Sequence, residues 1–228
     1  MTVRIAHDNI SPMSAAYQSD FIDLCMELGV LRFGSFTLKS GRESPYFFNA
    51  GLFNTGASIA AVGKAYAAAL AASDLEFDML FGPAYKGIPL VTITAAALAE
   101  NHRRNAPFAF NRKEAKDHGE GGRIVGSPLK GKVLIVDDVI TAGTAIRESI
   151  DIIKAAGAAP SGVLLALDRQ ERAPGSDFSA VQEVRSQYQI PVVSVINLAD
   201  LMQHVSKVGQ AADLSSMRLY RERYGLAD

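Results

Sequence analysis

The chain has 228 residues, 48% of them hydrophobic and 21% charged, with a formal net charge of −1. That length buries a substantial core, and the composition is globular. The near-neutral balance excludes binding to nucleic acid or a membrane surface by bulk charge, so any anion site has to be local.

The single cysteine, Cys25, excludes an intrachain disulfide and fits a reducing compartment. It lies in the apolar pattern Phe21, Ile22, Leu24, Cys25, Leu28 and reads as a buried core thiol. With four scattered histidines and no cysteine cluster, a structural zinc site is not expected. No basic region followed by an apolar core opens the sequence. The most apolar long stretch, residues 57–72, is interrupted by Lys64 and Tyr66 and is too short to span a bilayer. The cytoplasm is the expected location, and neither membrane nor nucleic acid is an expected partner.

Residues 1–14 show no periodicity and read as a flexible extension before a single domain, 15–228. Residues 15–28 have helical spacing and end at Gly29, a helix-stop signal. Residues 33–38 and 44–50 read as short strands around a Lys39-Ser40-Gly41-Arg42 turn. The pattern then alternates. Helices are expected over 58–71, 87–101, 144–156 and 178–187. Strands are expected over 77–81, 107–111, 132–136, 161–167 and 192–196, and two helices close the chain. Residues 111–126 are polar and glycine-rich and read as a loop. Strands alternating with helices imply an α/β fold, a mostly parallel central sheet with helices on both faces.

Ligands of such sheets bind at the carboxyl ends of the strands. Three of these ends carry unusual polar chemistry, at residues 82–86, 111–118 and 137–144, and a fourth carries Asp168-Arg169. The strongest signal is Val133-Leu134-Ile135-Val136-Asp137-Asp138-Val139-Ile140-Thr141-Ala142-Gly143-Thr144-Ala145. Its apolar half suits a central strand. Its small residues let backbone amides approach a phosphate, and the following helix adds its positive end. The two carboxylates suit ribose hydroxyls or a metal-coordinated water. A plain strand–loop–helix turn with threonine N-caps uses some of the same residue types, but not the whole run.

This run resembles the 5-phosphoribosyl 1-diphosphate (PRPP) motif of the type I phosphoribosyltransferases. Segments 36–42, 44–49, 82–88, 110–122 and 167–172 are similar to the orotate-specific members of that family, in the same order along the chain. The resemblance implies the phosphoribosyltransferase fold with a small hood built from residues 15–50 and the C-terminal region. It implies Mg²⁺, held through PRPP and water with no direct protein ligand. It implies a homodimer whose active sites are shared, the 111–122 segment reaching the neighbouring subunit. PRPP would meet Lys39, Tyr85, Lys86, Arg112, Lys113, Lys116, His118 and the run Asp137, Asp138, Val139, Ile140, Thr141, Ala142, Gly143, Thr144 and Ala145. Orotate would meet Lys39, Phe47, Phe48, Thr141 and Arg169. Lys116, His118, Asp137 and Asp138 would carry the catalysis.

The residue chemistry agrees with these assignments. A planar anion gains from an aromatic wall and a forked guanidinium. Phe47 and Phe48 are adjacent on a strand and face opposite sides, so one of them is free to be core. Lys86 stands where a helix dipole disfavours a cation, so an anionic partner would explain it. A glycine-rich segment bearing Lys113, Lys116 and His118 suits a lid closing over a diphosphate. Two rivals keep the cradle. One is a phosphoribosyltransferase for another base. The other is a PRPP-sensing regulator of the same fold, which would need a DNA-binding module that the first fourteen residues are too short to form. A response-regulator-like sheet also uses paired carboxylates but has no use for the Thr/Gly loop.

Overall fold

The computed structural model describes residues 12–38, 40–116, 122–140, 143–209 and 211–226. Most of the expected flexible extension lies outside them. The first helix starts earlier than the spacing suggests, as α1 (Pro12–Glu27), followed by a hairpin of β1 (Leu31–Thr37) and β2 (Glu43–Phe48). After one 3₁₀ turn come α2 (Gly56–Ala71), β3 (Met79–Gly82) and α3 (Gly87–His102). Next are β4 (Phe108–Lys116), β5 (Gly122–Gly126), β6 (Lys132–Val136), α4 (Thr144–Ala155) and β7 (Ala159–Asp168). The chain ends on α5 (Ala180–Tyr188), β8 (Val192–Asn197), α6 (Leu198–Lys207) and α7 (Ala211–Tyr224).

Six strands form one sheet in the order β5-β4-β3-β6-β7-β8. All pairs are parallel except β4–β5. This α/β sheet is therefore mostly parallel, as expected, but within the 111–126 segment the described residues, 111–116 and 122–126, are strands and not a loop. They pair antiparallel at the sheet edge, Ala109 with Gly126, Phe110 with Val125 and Asn111 with Ile124. Charged residues obscure a strand of this kind. At an edge they are tolerated, and they discourage pairing with other chains.

Strand alternation gives the sheet two cores. Val133 and Ile135 of β6 face α4 and α5, packing with Ile146, Ile150 and Val184. Leu134 and Val136 face α2 and α3, packing with Val62, Tyr66 and Val91. These four of the five β6 side chains are fully buried, and each such residue contributes about 1.5–3 kcal/mol relative to exposure. The β1–β2 hairpin forms a separate two-stranded sheet. It carries fully buried Tyr46, which meets Tyr220 of α7 edge-on at 6.3 Å. This is the hood that the resemblance implied, and Cys25 lies in the core beneath it, fully buried. No described helix is long and apolar enough to cross a membrane.

Candidate active site at the switch point of the sheet

From β3 the chain moves outward to β4; from β6 it moves the opposite way to β7 and β8. The strand order therefore reverses between β3 and β6, which opens a crevice at their carboxyl ends. The helices α3 and α4 begin there, on opposite faces of the sheet. Side chains of Thr55, Ser179 and Asn197 cap α2, α5 and α6. Lys86 and Gly143, at the starts of α3 and α4, provide no such cap. The start of α4 thus presents first-turn amides and a positive dipole end to the crevice, whereas at α3 the Gly87 and Ile88 amides donate to the Pro83 and Tyr85 carbonyls and Pro89 has none to offer. Gly143 takes a φ of 69°, a backbone state that glycine adopts at little cost. A threonine cap on α4 is not what forms.

Close packing fixes the β3–α3 turn. A Cβ added at Gly82 would come within 2.2 Å of the Gly87 carbonyl oxygen, and one at Gly87 within 2.9 Å of the Val136 carbonyl oxygen. The Ala84 amide donates to Asn111 Oδ1 of β4 at 2.9 Å. The Ala84–Tyr85 peptide bond is cis. Tyr85 is 68% exposed, and Lys113 Nζ lies 5.1 Å from its ring centre, so β4 reaches the turn.

The two acids follow β6 directly. Their backbone continues the ladder with β7: the Asp137 amide donates to the Leu164 carbonyl at 3.0 Å, and the Asp138 carbonyl accepts from Ala166 at 2.8 Å. The Tyr66 hydroxyl of α2 donates to the Asp137 carbonyl at 3.0 Å. Asp137 Oδ1 accepts from the Asp138 amide at 2.9 Å, and Asp138 Oδ1 from the Val139 amide at 2.8 Å. Lys86 Nζ donates to Asp138 Oδ2 at 2.7 Å. The anionic partner that Lys86 calls for is thus supplied by the chain itself.

Asp137 and Asp138 are both buried. Burial, and then the neighbouring Asp138 charge, push the Asp137 carboxyl up to about 7; Lys86 pulls it down by less. A hydroxyl-bearing ligand would find two acceptors here, one of them already tied to a lysine. Among the described residues no three His, Cys, Asp or Glu side chains gather as a metal cage. Two carboxylates fit a divalent cation that takes most of its ligands from substrate and water.

β7 ends at Asp168, and Arg169 follows. Arg169 Nε donates to Glu171 Oε1 at 2.8 Å, and its Nη2 lies 3.3 Å from Ser44 Oγ of β2. Its guanidinium stands 4.6 Å from the Tyr46 ring centre. Arg169 therefore joins sheet to hood. Phe47 packs on Phe36 at 5.6 Å beside Arg32, while Phe48 turns into the core against Phe53. Of the two phenylalanines, the Phe48 ring is the core residue.

The structure gathers Lys86, Lys113, Tyr85, Asp137 and Asp138 at one end of the sheet. Val139 and Ile140 pack against opposite cores, so they offer backbone rather than side chain to the crevice. Thr144 is exposed and accepts from Arg147 Nη2 at 3.2 Å; Ala145 and Arg112 are half-buried. Lys39, His118, Thr141 and Ala142 lie outside the described residues, as does the side chain of Lys116. Sequence reasoning missed Tyr66, Asn111, Glu171 and Tyr220. Tyr66 had a signal, as the one aromatic residue in an alanine-rich helix; the others had none outside the quoted segments.

A doubly wound sheet with a diacid and the open start of α4 at its switch point has the layout of a phosphoribosyltransferase domain, and the phosphoribosyl transferase domain family matches residues 51–194. Orotate phosphoribosyltransferase of Thioalkalivibrio sulfidiphilus is 61% identical over 92% of this chain and 99% of its own length. That of Marinobacter nauticus is 62% identical over the same shares. The crystal structure of orotate phosphoribosyltransferase from Francisella tularensis superposes with a TM-score of 0.83, at 45% identity, covering 90% of this chain and 99% of that one. The chain belongs to the orotate phosphoribosyltransferase family.

Proposed function

We propose that the protein transfers ribose 5-phosphate from PRPP to orotate, giving orotidine 5′-monophosphate and diphosphate in de novo pyrimidine synthesis. The observation that carries this reading is the identity of 61–62% along nearly the whole chain. The crevice chemistry agrees with it. Residues 141–145, at the start of α4, receive the 5′-phosphate, with the backbone of Val139 and Ile140 leading into it. Asp137 and Asp138 accept hydrogen bonds from the ribose hydroxyls. Tyr85, Lys86, Arg112 and Lys113 face the diphosphate, and Lys39 serves both substrates. Arg169 forks onto a polar edge of orotate beside Phe47.

The bond from C1′ to the diphosphate oxygen breaks and a bond from C1′ to the orotate ring nitrogen forms. C1′ gains oxocarbenium character on the way, so catalysis consists of positioning the acceptor and stabilising the leaving charge. Lys116 and His118 assist diphosphate departure. The orotate ring nitrogen releases its proton to solvent readily, so no enzyme nucleophile is required. Mg²⁺ entering with PRPP would be held from the protein side by Asp137 and Asp138 through water and would supply further neutralisation of the diphosphate. The active form is a cytoplasmic homodimer whose edge hairpin, β4–β5, serves the neighbouring subunit's site.

The deciding experiment is diphosphate release from PRPP. Release dependent on both orotate and Mg²⁺, and absent with uracil or purine bases, is expected. Turnover of another base would assign a different acceptor. Binding of PRPP without turnover, together with a shifted DNA fragment in a gel, would favour the regulator instead.

A further inference from the structure

We propose that Tyr220 and Glu171 are positioning residues, through which α7 fixes the Arg169 guanidinium for the acceptor. The inference rests on the reading that Arg169 meets orotate. An unrestrained arginine samples many rotamers, and a planar fork is useful only when its orientation is held. Three contacts hold this one. Glu171 takes its Nε–Nη2 edge, through Nε at 2.8 Å and Nη2 at 3.4 Å. Ser44 Oγ lies 3.3 Å from Nη2, and the Tyr46 ring backs one face. Glu171 and Ser44 engage Nε and Nη2, which leaves Nη1 for a substrate oxygen.

Glu171 is held in turn. The Tyr220 hydroxyl donates to Glu171 Oε2, the oxygen that also faces Nη2. Tyr220 is 5% exposed. Burial, and then the bond to Glu171, push its hydroxyl up to about 12, so it remains a donor at every working pH. The backbone locks the same segment to the end of α7: Arg172 donates to the Tyr224 carbonyl at 2.9 Å, and Glu171 pairs with Gly225 in an antiparallel bridge. A carboxylate beside the arginine weakens its pull on an anion. Its presence is therefore explained by orientation, not by added charge.

The test is steady-state kinetics of the full-length protein with Tyr220→Phe, which removes one hydroxyl. The KM for orotate is expected to rise about fivefold, with the KM for PRPP and kcat within about twofold of the unmodified protein. Glu171→Gln serves as a second variant, with the same selective rise expected, and thermal unfolding verifies that both fold. Arg169→Lys is run alongside, alone and combined with Tyr220→Phe. If Tyr220 acts through Arg169, the pair costs no more than Arg169→Lys alone. A rise with Arg169→Lys but none with Tyr220→Phe or Glu171→Gln overturns the positioning role and leaves the orotate assignment standing. No rise with Arg169→Lys overturns both.

Discussion

Lys86 and Asp138, fifty-two positions apart in the chain, meet at 2.7 Å where α3 begins and β6 ends. The acid is 8% exposed and the lysine 57%. The pair spans the switch point and links the turn assigned to diphosphate with the acids assigned to ribose. Replacing Lys86 with Ala leaves two adjacent buried carboxylates without this cation. The KM for PRPP is expected to rise at least tenfold, and Lys86→Arg to recover part of it. Equal KM values for Lys86→Ala and the parent would remove the lysine from the PRPP site.

Asp137 makes stability depend on pH in a direction opposite to most aspartates. In an unfolded chain it titrates near about 3.9; in the fold, burial and Asp138 bring it to about 7. Between those values the folded state holds a proton that the unfolded state lacks, so this group's contribution to stability falls as pH rises from about 4 to about 7. Asp137→Asn removes that dependence. Urea unfolding at about pH 4.5, 6 and 8 should show the variant gaining on the parent at each step. A constant difference would mean that Asp137 is not strained by its burial.

The same group predicts a rising limb in activity. If the ionised form accepts from ribose hydroxyls, kcat/KM for PRPP climbs with pH through about 7. Lys86→Ala should move that limb upward, since Lys86 favours the charged form of Asp137. A limb unmoved by Lys86→Ala belongs to some other group.

Gly82 has no room for a side chain, because its Cβ would lie 2.2 Å from the Gly87 carbonyl oxygen. Gly82→Ala is expected to lower stability by about 3 kcal/mol, a Tm fall of about 10 °C. It should also raise the KM for PRPP, since the displaced turn carries Lys86. Calorimetry that finds an unchanged Tm would show that the turn relaxes freely.

Lys116 is the last residue of β4. Lys116→Ala should lower kcat about a hundredfold while changing the KM for PRPP far less, as expected of a charge used at the transition state. Single-turnover kinetics separates chemistry from product release. An unchanged chemical step takes Lys116 out of the mechanism.

The sheet was legible in the sequence wherever strands are buried on both faces. Val133–Val136 is apolar without interruption because each side of it meets a core. The strands at 111–116 and 122–126 were not, because strands at a sheet edge are free to carry charges and lack that apolar run. The diacid and its glycine loop were legible because neighbours in sequence build them. Lys86–Asp138, Tyr66–Asp137 and Tyr220–Glu171 were not, since each joins residues about fifty or more positions apart and no local spacing records them.

The bridge between Glu171 and Gly225 also bears on how the site comes into being during synthesis. A ribosome releases β3, β6 and their helices well before α7, and nascent segments fold in the order they emerge. The ribose-phosphate crevice has all its strands while residues 211–226 are still in the exit tunnel. Arg169 is by then outside, but its brace is not. The acceptor half of the site is therefore finished last, and a chain halted before Tyr220 would hold a cradle for the donor with no oriented fork for the base.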